Sequence, residues 1–438
     1  MEKVIRKTRS ICPRCGRAVD ASVVVRGGAT YLDKSCPEHG PFSAIIWRNK
    51  KSIFDWYGDV EPLDAAAAPN CPSECRENGL CAAHKNATCC IVLEVTGRCN
   101  LRCRYCFAAP DGARDRPAEE IIKEIAGFTA PGKTLVQLSG GEPTLRDDLP
   151  EITAAAKKLG CKYVQLNSNG IRLAEDEAYV KELADAGLSF VFMQFDGTDD
   201  AIYEKLRGAP LFAVKEKAVE NCAKYNVGVT LVPTIVRGVN DGAIGEILRW
   251  AVSKSPKVRG VHFQPAAYLG RIPNIPADGA RFTLDELICA IEEQSGGLVE
   301  SGSLQPSRCD HPLCGFHGDF VVLEDGGLYA LTKKRDDAPC CCCGAENPAD
   351  KNREFVGRRW QRPREGGADS CRSSSKDIED MDYFLSRVAT HGFTVTAMAF
   401  QDAGNVDLER LRMCSLHAAK NGRLVPFCVN YMTLWERG

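Results

Sequence analysis

Runs of β-branched and apolar residues alternate with helix-spaced stretches through the middle of the chain. CCIVLEVT (89–96), KTLVQLSG (133–140), KYVQLNSNG (162–170), LSFVFMQFDG (188–197), VGVTLVPTIV (227–236) and VRGVHFQPA (258–266) are largely apolar. This is the pattern of strands buried on both faces. RPAEEIIKEIAGF (116–128) and LPEITAAAKKLG (149–160) instead carry apolar residues at helical spacing, the second ending at Gly160 where a C-terminal cap belongs. Further helical stretches fall at about 175–187, 211–226 and 243–254. Six strands with helices between them predict a parallel sheet with right-handed crossovers. Too few units are present for a closed eight-fold barrel, so the expected α/β fold is a partial (βα)6 barrel with its chemistry at the C-terminal strand ends. The expected organisation is a knuckle domain at 1–60, a cysteine-rich segment at 61–90, the barrel at 91–297 and a cysteine-rich extension at 298–438. No repeat of solenoid period is visible.

Composition narrows the class. With 44% hydrophobic and 26% charged residues the chain can bury an ordinary core. A net charge of −2 gives no electrostatic argument for nucleic acid or an acidic membrane surface, and no nucleic-acid partner is expected. No apolar run reaches membrane-spanning length, and the N-terminus MEKVIRKTRSICPRCG lacks an apolar signal core. A cytoplasmic location is expected, with peripheral membrane contact left open. The abnormal feature is 23 cysteines, many in short C-x2-C, C-x3-C and C-x5-C groups. Grouped thiolates in a reducing compartment hold metals or clusters rather than disulfides.

The first strand runs directly into GRCNLRCRYCFA, which places Cys99, Cys103 and Cys106 in one tight loop. Four-iron clusters take one thiolate per iron, so three local ligands leave one iron open to a small molecule, as catalytic metal sites require. By spacing alone, a zinc knuckle or a cluster completed by a distant cysteine is the alternative. The neighbours then matter. Tyr105 stands between the last two cysteines, and the second strand exits at Gly140-Gly141-Glu142-Pro143. The third exits at Asn167-Ser168-Asn169-Gly170, and the sixth near Gln264-Pro265 with Gly270 beyond. Over about 89–297 this arrangement resembles the radical S-adenosylmethionine (SAM) superfamily. The resemblance implies a [4Fe-4S] cluster on the three cysteines and SAM chelated to its open iron. It also implies contacts from 140–143 to the SAM amino group, from Asn167, Ser168 and Asn169 to the ribose side, and from Gln264 to the adenine. Reductive cleavage of SAM would then yield a 5′-deoxyadenosyl radical that abstracts hydrogen from an unactivated carbon. An electron donor of the reductase, ferredoxin or flavodoxin type is implied as partner.

Two flanks carry further candidates. Cys12-Pro-Arg-Cys15 followed by Cys36-Pro-Glu-His39 is the spacing of one mononuclear tetrahedral site. Its first knuckle resembles rubredoxin, yet His39 stands where a fourth cysteine would be, and either Zn or Fe suits such donors. Cys71, Cys75, Cys81 and Cys89 are expected to hold an auxiliary [4Fe-4S] cluster, with Cys90 packing and His84 in reserve. Cys309, Cys314, Cys414 and Cys428 are expected to hold a second one. Cys161, Cys222 and Cys289 read as packing residues, and Cys340, Cys341, Cys342, Cys343 and Cys371 receive no role.

The order of KTRSICPRCG, CPEHG, CPSEC, EVTGRCNLRCRYCFA, CDHPLC and LVPFC along nearly the whole chain resembles the tetraether lipid synthase group, formerly linked to methanopterin C-methylation. That resemblance implies carbon–carbon bond formation on a lipid. The alternative is a radical SAM C-methyltransferase on a pterin or other small molecule, for which SAM would supply a methyl as well as a radical. A multi-cluster electron-transfer protein would explain the cysteines but not the 140–143 segment. A peptide maturase would carry its densest cysteine array after the barrel, whereas here it precedes it.

Overall fold

The computed structural model describes residues 2–58, 71–272, 274–332, 347–361 and 376–435. Cys340, Cys341, Cys342, Cys343 and Cys371 lie outside them.

Two sheets organise the described residues. The first is an antiparallel meander of β1 (Lys3–Ile11), β2 (Ala18–Arg26), β3 (Ala29–Cys36) and β4 (Gly40–Trp47). Only short apolar runs are visible there in the sequence, because one face of these strands is polar. Val19, Ala21 and Leu32 are buried, with exposed Asp20 and part-exposed Ser22, Tyr31 and Asp33 beside them, the alternation of a half-covered antiparallel sheet.

The second sheet contains the predicted barrel. β5 (Cys90–Thr96), β6 (Leu135–Gly140), β7 (Tyr163–Ser168), β8 (Phe190–Gln194), β9 (Gly228–Val232) and β11 (Val258–Pro265) lie side by side in that order, every pair parallel. The short β10 (Thr234–Ile235) follows Pro233 and pairs with β11. The crossover helices bury the residues their spacing nominated: Ile121 and Ile125 on Ala118–Phe128, Leu149, Ile152 and Ala156 on Leu149–Lys158, and Ala218, Val219 and Cys222 on Phe212–Lys224. Cys161 and Cys222 belong to this core, but Cys289 is only half-buried and does not.

The extension is where the fold departs from expectation. No strand was expected after 298, yet this cysteine-rich extension adds strands to both edges of the barrel. On one side β15 (Gly392–Met398) pairs parallel with β11, and β13 (Gly315–Val322) pairs antiparallel with β15, flanked by β12 (Gln305–Pro306) and β14 (Leu328–Ala330). On the other side β16 (Leu416–Lys420) pairs parallel with β5 and carries β17 (Arg423–Pro426). The chain from β15 to β16 therefore spans the open side of the six-strand frame. The meander docks onto this connection: Arg6 bridges Asp407 and Glu409, Thr8 donates to Asp407 at 2.8 Å, and Ser10 donates to the Val406 carbonyl at 2.6 Å. Among the described residues no helix is long and apolar enough to cross a membrane.

Candidate active site

Cys99, Cys103 and Cys106 follow β5 at the C-terminal end of the barrel and face one cavity of about 290 Å³. The loop that carries them is held from four directions. The Glu142 N–H donates to the Arg98 carbonyl at 2.8 Å, and Asn169 donates to Asn100 at 2.7 Å. The Arg104 N–H donates to the Leu206 carbonyl at 3.1 Å, and Arg271 donates to the carbonyls of Cys106 (2.9 Å) and Cys103 (3.0 Å). Gly270 permits that last contact, since its φ is +55° and a Cβ there would lie 2.1 Å from the Phe107 oxygen. Three thiols converging on a cavity from a fixed loop match the donor set of a [4Fe-4S] cluster with an open iron.

Glu142 is 2% exposed and serves chiefly as a clamp. One of its oxygens accepts from the Thr144 N–H (3.1 Å), the Thr144 hydroxyl (2.6 Å) and the Ser168 hydroxyl (2.8 Å); the other accepts from the Asn169 N–H (2.7 Å). Burial pushes its carboxyl above the ordinary range while these hydrogen bonds oppose the rise. Gly140, Gly141, Asn167, Ser168, Asn169, Gln264 and Tyr105 all line the cavity with the cysteines. Pro143 opens the short turn Pro143–Leu145 behind them.

Other cavity residues carried no motif and were not singled out in the sequence. Arg207 makes a buried two-pronged ion pair with Asp196 (2.7 and 2.8 Å). Lys215, fully buried beside the site, donates to Gln194 at 2.9 Å and to the Asn169 carbonyl; burial lowers its pKa to about 7. Gln137, Gln165, Gln194 and His262 line the interior with Phe192 and Trp360, beside the already expected Asn167 and Gln264. The alternation of part-exposed 137, 167, 192, 194, 262 and 264 with buried neighbours marks them as inward-facing. A polar residue at every second position of otherwise apolar strands was the available signal.

At the N-terminal meander, Cys12 and Cys15 sit on the β1–β2 turn and Cys36 and His39 on the β3–β4 turn. Their ligand atoms all lie within 4.8 Å of one another, so the tetrahedral donor set is assembled as the spacing predicted.

The auxiliary cysteines regroup. Cys71, Cys75 and Cys81 stay together as free thiols, with Cys75 within hydrogen-bonding reach of both of the others. Cys314, Cys414 and Cys428 form a second group, the first and last buried and Cys414 half-buried, with Arg410 donating to Cys314 (3.5 Å) and the Gln401 N–H to Cys428 (3.3 Å). Cys89 does not complete the first set, nor Cys309 the second: the two face each other, with Asn352 donating to the Cys89 sulfur at 3.3 Å. The reason is the β16–β5 pairing. It sets the Cys89 N–H on the Ser415 carbonyl (2.8 Å), while Asn86 donates to the carbonyls of Cys309 (2.8 Å) and Met413 (2.6 Å), drawing the Cys309 loop across. Cys90 packs, half-buried, against the cluster of Leu135, Tyr163, Phe190 and Trp360, and it also donates to Gln137 at 3.3 Å at the cavity edge. His84 lies against His417, their Nε2 atoms 3.0 Å apart.

Comparison with known proteins agrees with this geometry. The sequence profile of the Radical SAM superfamily matches residues 93–251, and that of the HMPTM N-terminal zinc ribbon domain matches residues 4–48. The chain is 33% identical to the 7,8-dihydro-6-hydroxymethylpterin dimethyltransferase of Methanocaldococcus jannaschii, over 98% of this chain and 94% of that one. The chain belongs to the radical SAM superfamily. This radical SAM enzyme is also 31% identical to the Fe-coproporphyrin III synthase of Methanosarcina barkeri, over 64% of its own length and 67% of that protein. Among solved structures, SuiB of Streptococcus suis is similar with a TM-score of 0.40 and 16% identity over 48% of this chain and 46% of that one, a likeness too weak to carry an argument. Membership implies a [4Fe-4S] cluster and SAM, which the three-cysteine loop and its cavity fit. The long relative is a pterin methyltransferase, so it does not extend the lipid reading.

Proposed function

We propose that this radical SAM enzyme adds a one-carbon unit to carbon in a reduced pterin or a similar polar bicyclic ring. The observation that carries the reading is one cavity joining the cysteine loop to an interior lined by Gln137, Gln165, Asn167, Gln194, His262 and Gln264. An alkyl chain filling that space would leave the cavity-facing amide groups not already bonded within the protein, such as the Gln137 N–H groups and the Gln165 oxygen, without partners, at about 1–3 kcal/mol for each buried group. A heterocycle answers them. The pterin methyltransferase that is similar along nearly the whole chain points the same way. When bound, a cluster on Cys99, Cys103 and Cys106 supplies the electron that cleaves SAM. The protein's own residues hold the loop, bind the substrate ring and exclude water. The Cys71/Cys75/Cys81 and Cys314/Cys414/Cys428 groups suit auxiliary clusters, and a ferredoxin- or flavodoxin-type donor suits a cytoplasmic enzyme of this kind.

A second reading, coupling of lipid chains, draws on the apolar wall of Phe192, Trp360, Met398, Phe400, Leu416 and Phe427 in the same cavity. One experiment separates the two. Anaerobically reconstituted enzyme, reductant and SAM are incubated with 7,8-dihydro-6-hydroxymethylpterin or with a saturated isoprenoid lipid, and products are read by mass spectrometry. Methylated pterin with 5′-deoxyadenosine is the expected result. Coupled lipid without methylated pterin would overturn the proposal.

A further inference from the structure

The cavity does not end beneath the cysteine loop; it continues to the opposite, N-terminal end of the barrel, where a helix forms its floor. Helix Pro348–Trp360 crosses the starts of several strands. Arg353 donates to the carbonyls of Thr88 (2.7 Å) and Cys89 (3.0 Å) just before β5, and Glu354 pairs with Lys162 before β7. The Trp360 carbonyl approaches Gly228 at the start of β9 so closely that a Cβ there would lie 2.3 Å from it, and the Trp360 ring N–H donates to Thr394 on β15 at 2.9 Å. Asn352 and Trp360 from this helix line the same cavity as Cys99.

Just above that floor, Gln137 on β6 and Gln165 on β7 are direct neighbours in register. Gln137 accepts from Cys90 through its oxygen, leaving its amide N–H groups toward the cavity; Gln165 donates to Asn167 at 3.1 Å, leaving its oxygen. Strands lie about 4.8 Å apart, so one donor and one acceptor are offered side by side. That is the complement of a lactam edge, whose carbonyl accepts beside an N–H that donates. Beside them is an aromatic wall: Phe192 lies 4.8 Å from Trp360 at 61° and 5.4 Å from His262 at 42°. His262 shares a hydrogen bond with Thr396 through Nδ1 at 2.8 Å, and burial lowers its pKa to about 4, so near neutral pH the wall is uncharged.

We infer that this lower chamber is the substrate's recognition slot, in which Gln137 and Gln165 read the lactam edge of a pterin-like ring and Phe192, His262 and Trp360 take its face. The inference rests on the heterocycle reading above and adds where the ring lies and what selects it. It places the substrate on the floor side of the barrel, with the reacting carbon directed up toward the cysteine loop.

The test is equilibrium binding of 7,8-dihydro-6-hydroxymethylpterin to the reconstituted full-length enzyme, followed by quenching of tryptophan fluorescence. The N3-methyl derivative, which lacks the lactam N–H, serves as the second probe. The wild type should bind the parent about tenfold more tightly than the N3-methyl compound, because a site built to accept an N–H rejects an analogue without it. Gln165→Leu should lose that discrimination, and Gln137→Leu should weaken binding of both compounds about tenfold. If the wild type binds neither compound, the pterin reading itself falls. If it binds both equally, and both variants bind as it does, the reading survives and the slot is overturned. The wild-type comparison of the two compounds decides the matter even if a variant fails to fold.

Discussion

Replacing Gly141 with Ala tests how the active-site loop is held. A Cβ on Gly141 would lie 2.0 Å from the Arg98 carbonyl oxygen, 2.6 Å from its carbon and 3.3 Å from Cys99 Cβ. The first two are backbone atoms immediately before the first cysteine and the third belongs to that cysteine's own side chain, and the Arg98 carbonyl already accepts from Glu142. No side-chain rotation relieves the contact, so the loop must retreat by more than 1 Å, about 1.4 Å to reach ordinary separation near 3.4 Å, an overpacking cost of about 1–3 kcal/mol. In a chain of 438 residues, that lowers the thermal midpoint by a few degrees. The same displacement moves a group that must meet SAM in fixed geometry, and misplacement of about 1 Å costs on the order of 100-fold in rate. Gly141→Ala should therefore fold, retain iron and form 5′-deoxyadenosine about 100-fold more slowly. Gly127→Ala is the control, since nothing lies within 4 Å of a Cβ there. The assay is anaerobic 5′-deoxyadenosine formation, read alongside iron content and thermal midpoint. A Gly141→Ala enzyme with full rate would refute the argument that the close approach of 96–98 to 140–142 sets the loop.

Further outcomes follow from the same structure. Lys215 has a folded pKa of about 7 against an ordinary value of 10.5, so between those values the unfolded chain holds the proton and the folded one does not. Stability attributable to this group rises with pH across that window, and Lys215→Met should flatten the dependence of the thermal midpoint on pH from about 7 to 10. Changing Cys99, Cys103 and Cys106 together to Ala should abolish 5′-deoxyadenosine formation; full SAM cleavage by the triple variant would remove the assignment. Cys15→Ser should release the metal of the ribbon and lower the thermal midpoint, as loss of structural metal sites does, with metal content measured in parallel. If both auxiliary groups hold cubane clusters, reconstituted protein should bind about twelve cluster irons, four for each cluster; a reproducible value near four would leave the flanking thiols as structural or zinc ligands.

The barrel and its catalytic loop were legible because their signals are local. Each parallel strand is buried on both faces and so reads as an apolar run, and Cys99, Cys103 and Cys106 lie within one loop whose spacing alone brings them together. The same holds for Cys12, Cys15, Cys36 and His39, since two hairpin turns at one end of a meander bring both knuckles together. The auxiliary cysteines behaved differently. Cys89 follows Cys81 closely in sequence, and spacing grouped it there, but its partner is Cys309, brought over when β16 paired with β5. The extension's strands were not expected because they gain a fold only by adding to the barrel edges, and edge pairing leaves no periodic mark that outweighs cysteine-rich turns. The amide row was hidden for a related reason. A lone glutamine in an apolar strand carries no motif, and Gln137 and Gln165 become a site only through the register that sets β6 beside β7. Contacts within a loop or one strand–turn unit are determined by the sequence itself, whereas pairing between distant strands is decided by which edges the folded barrel leaves open.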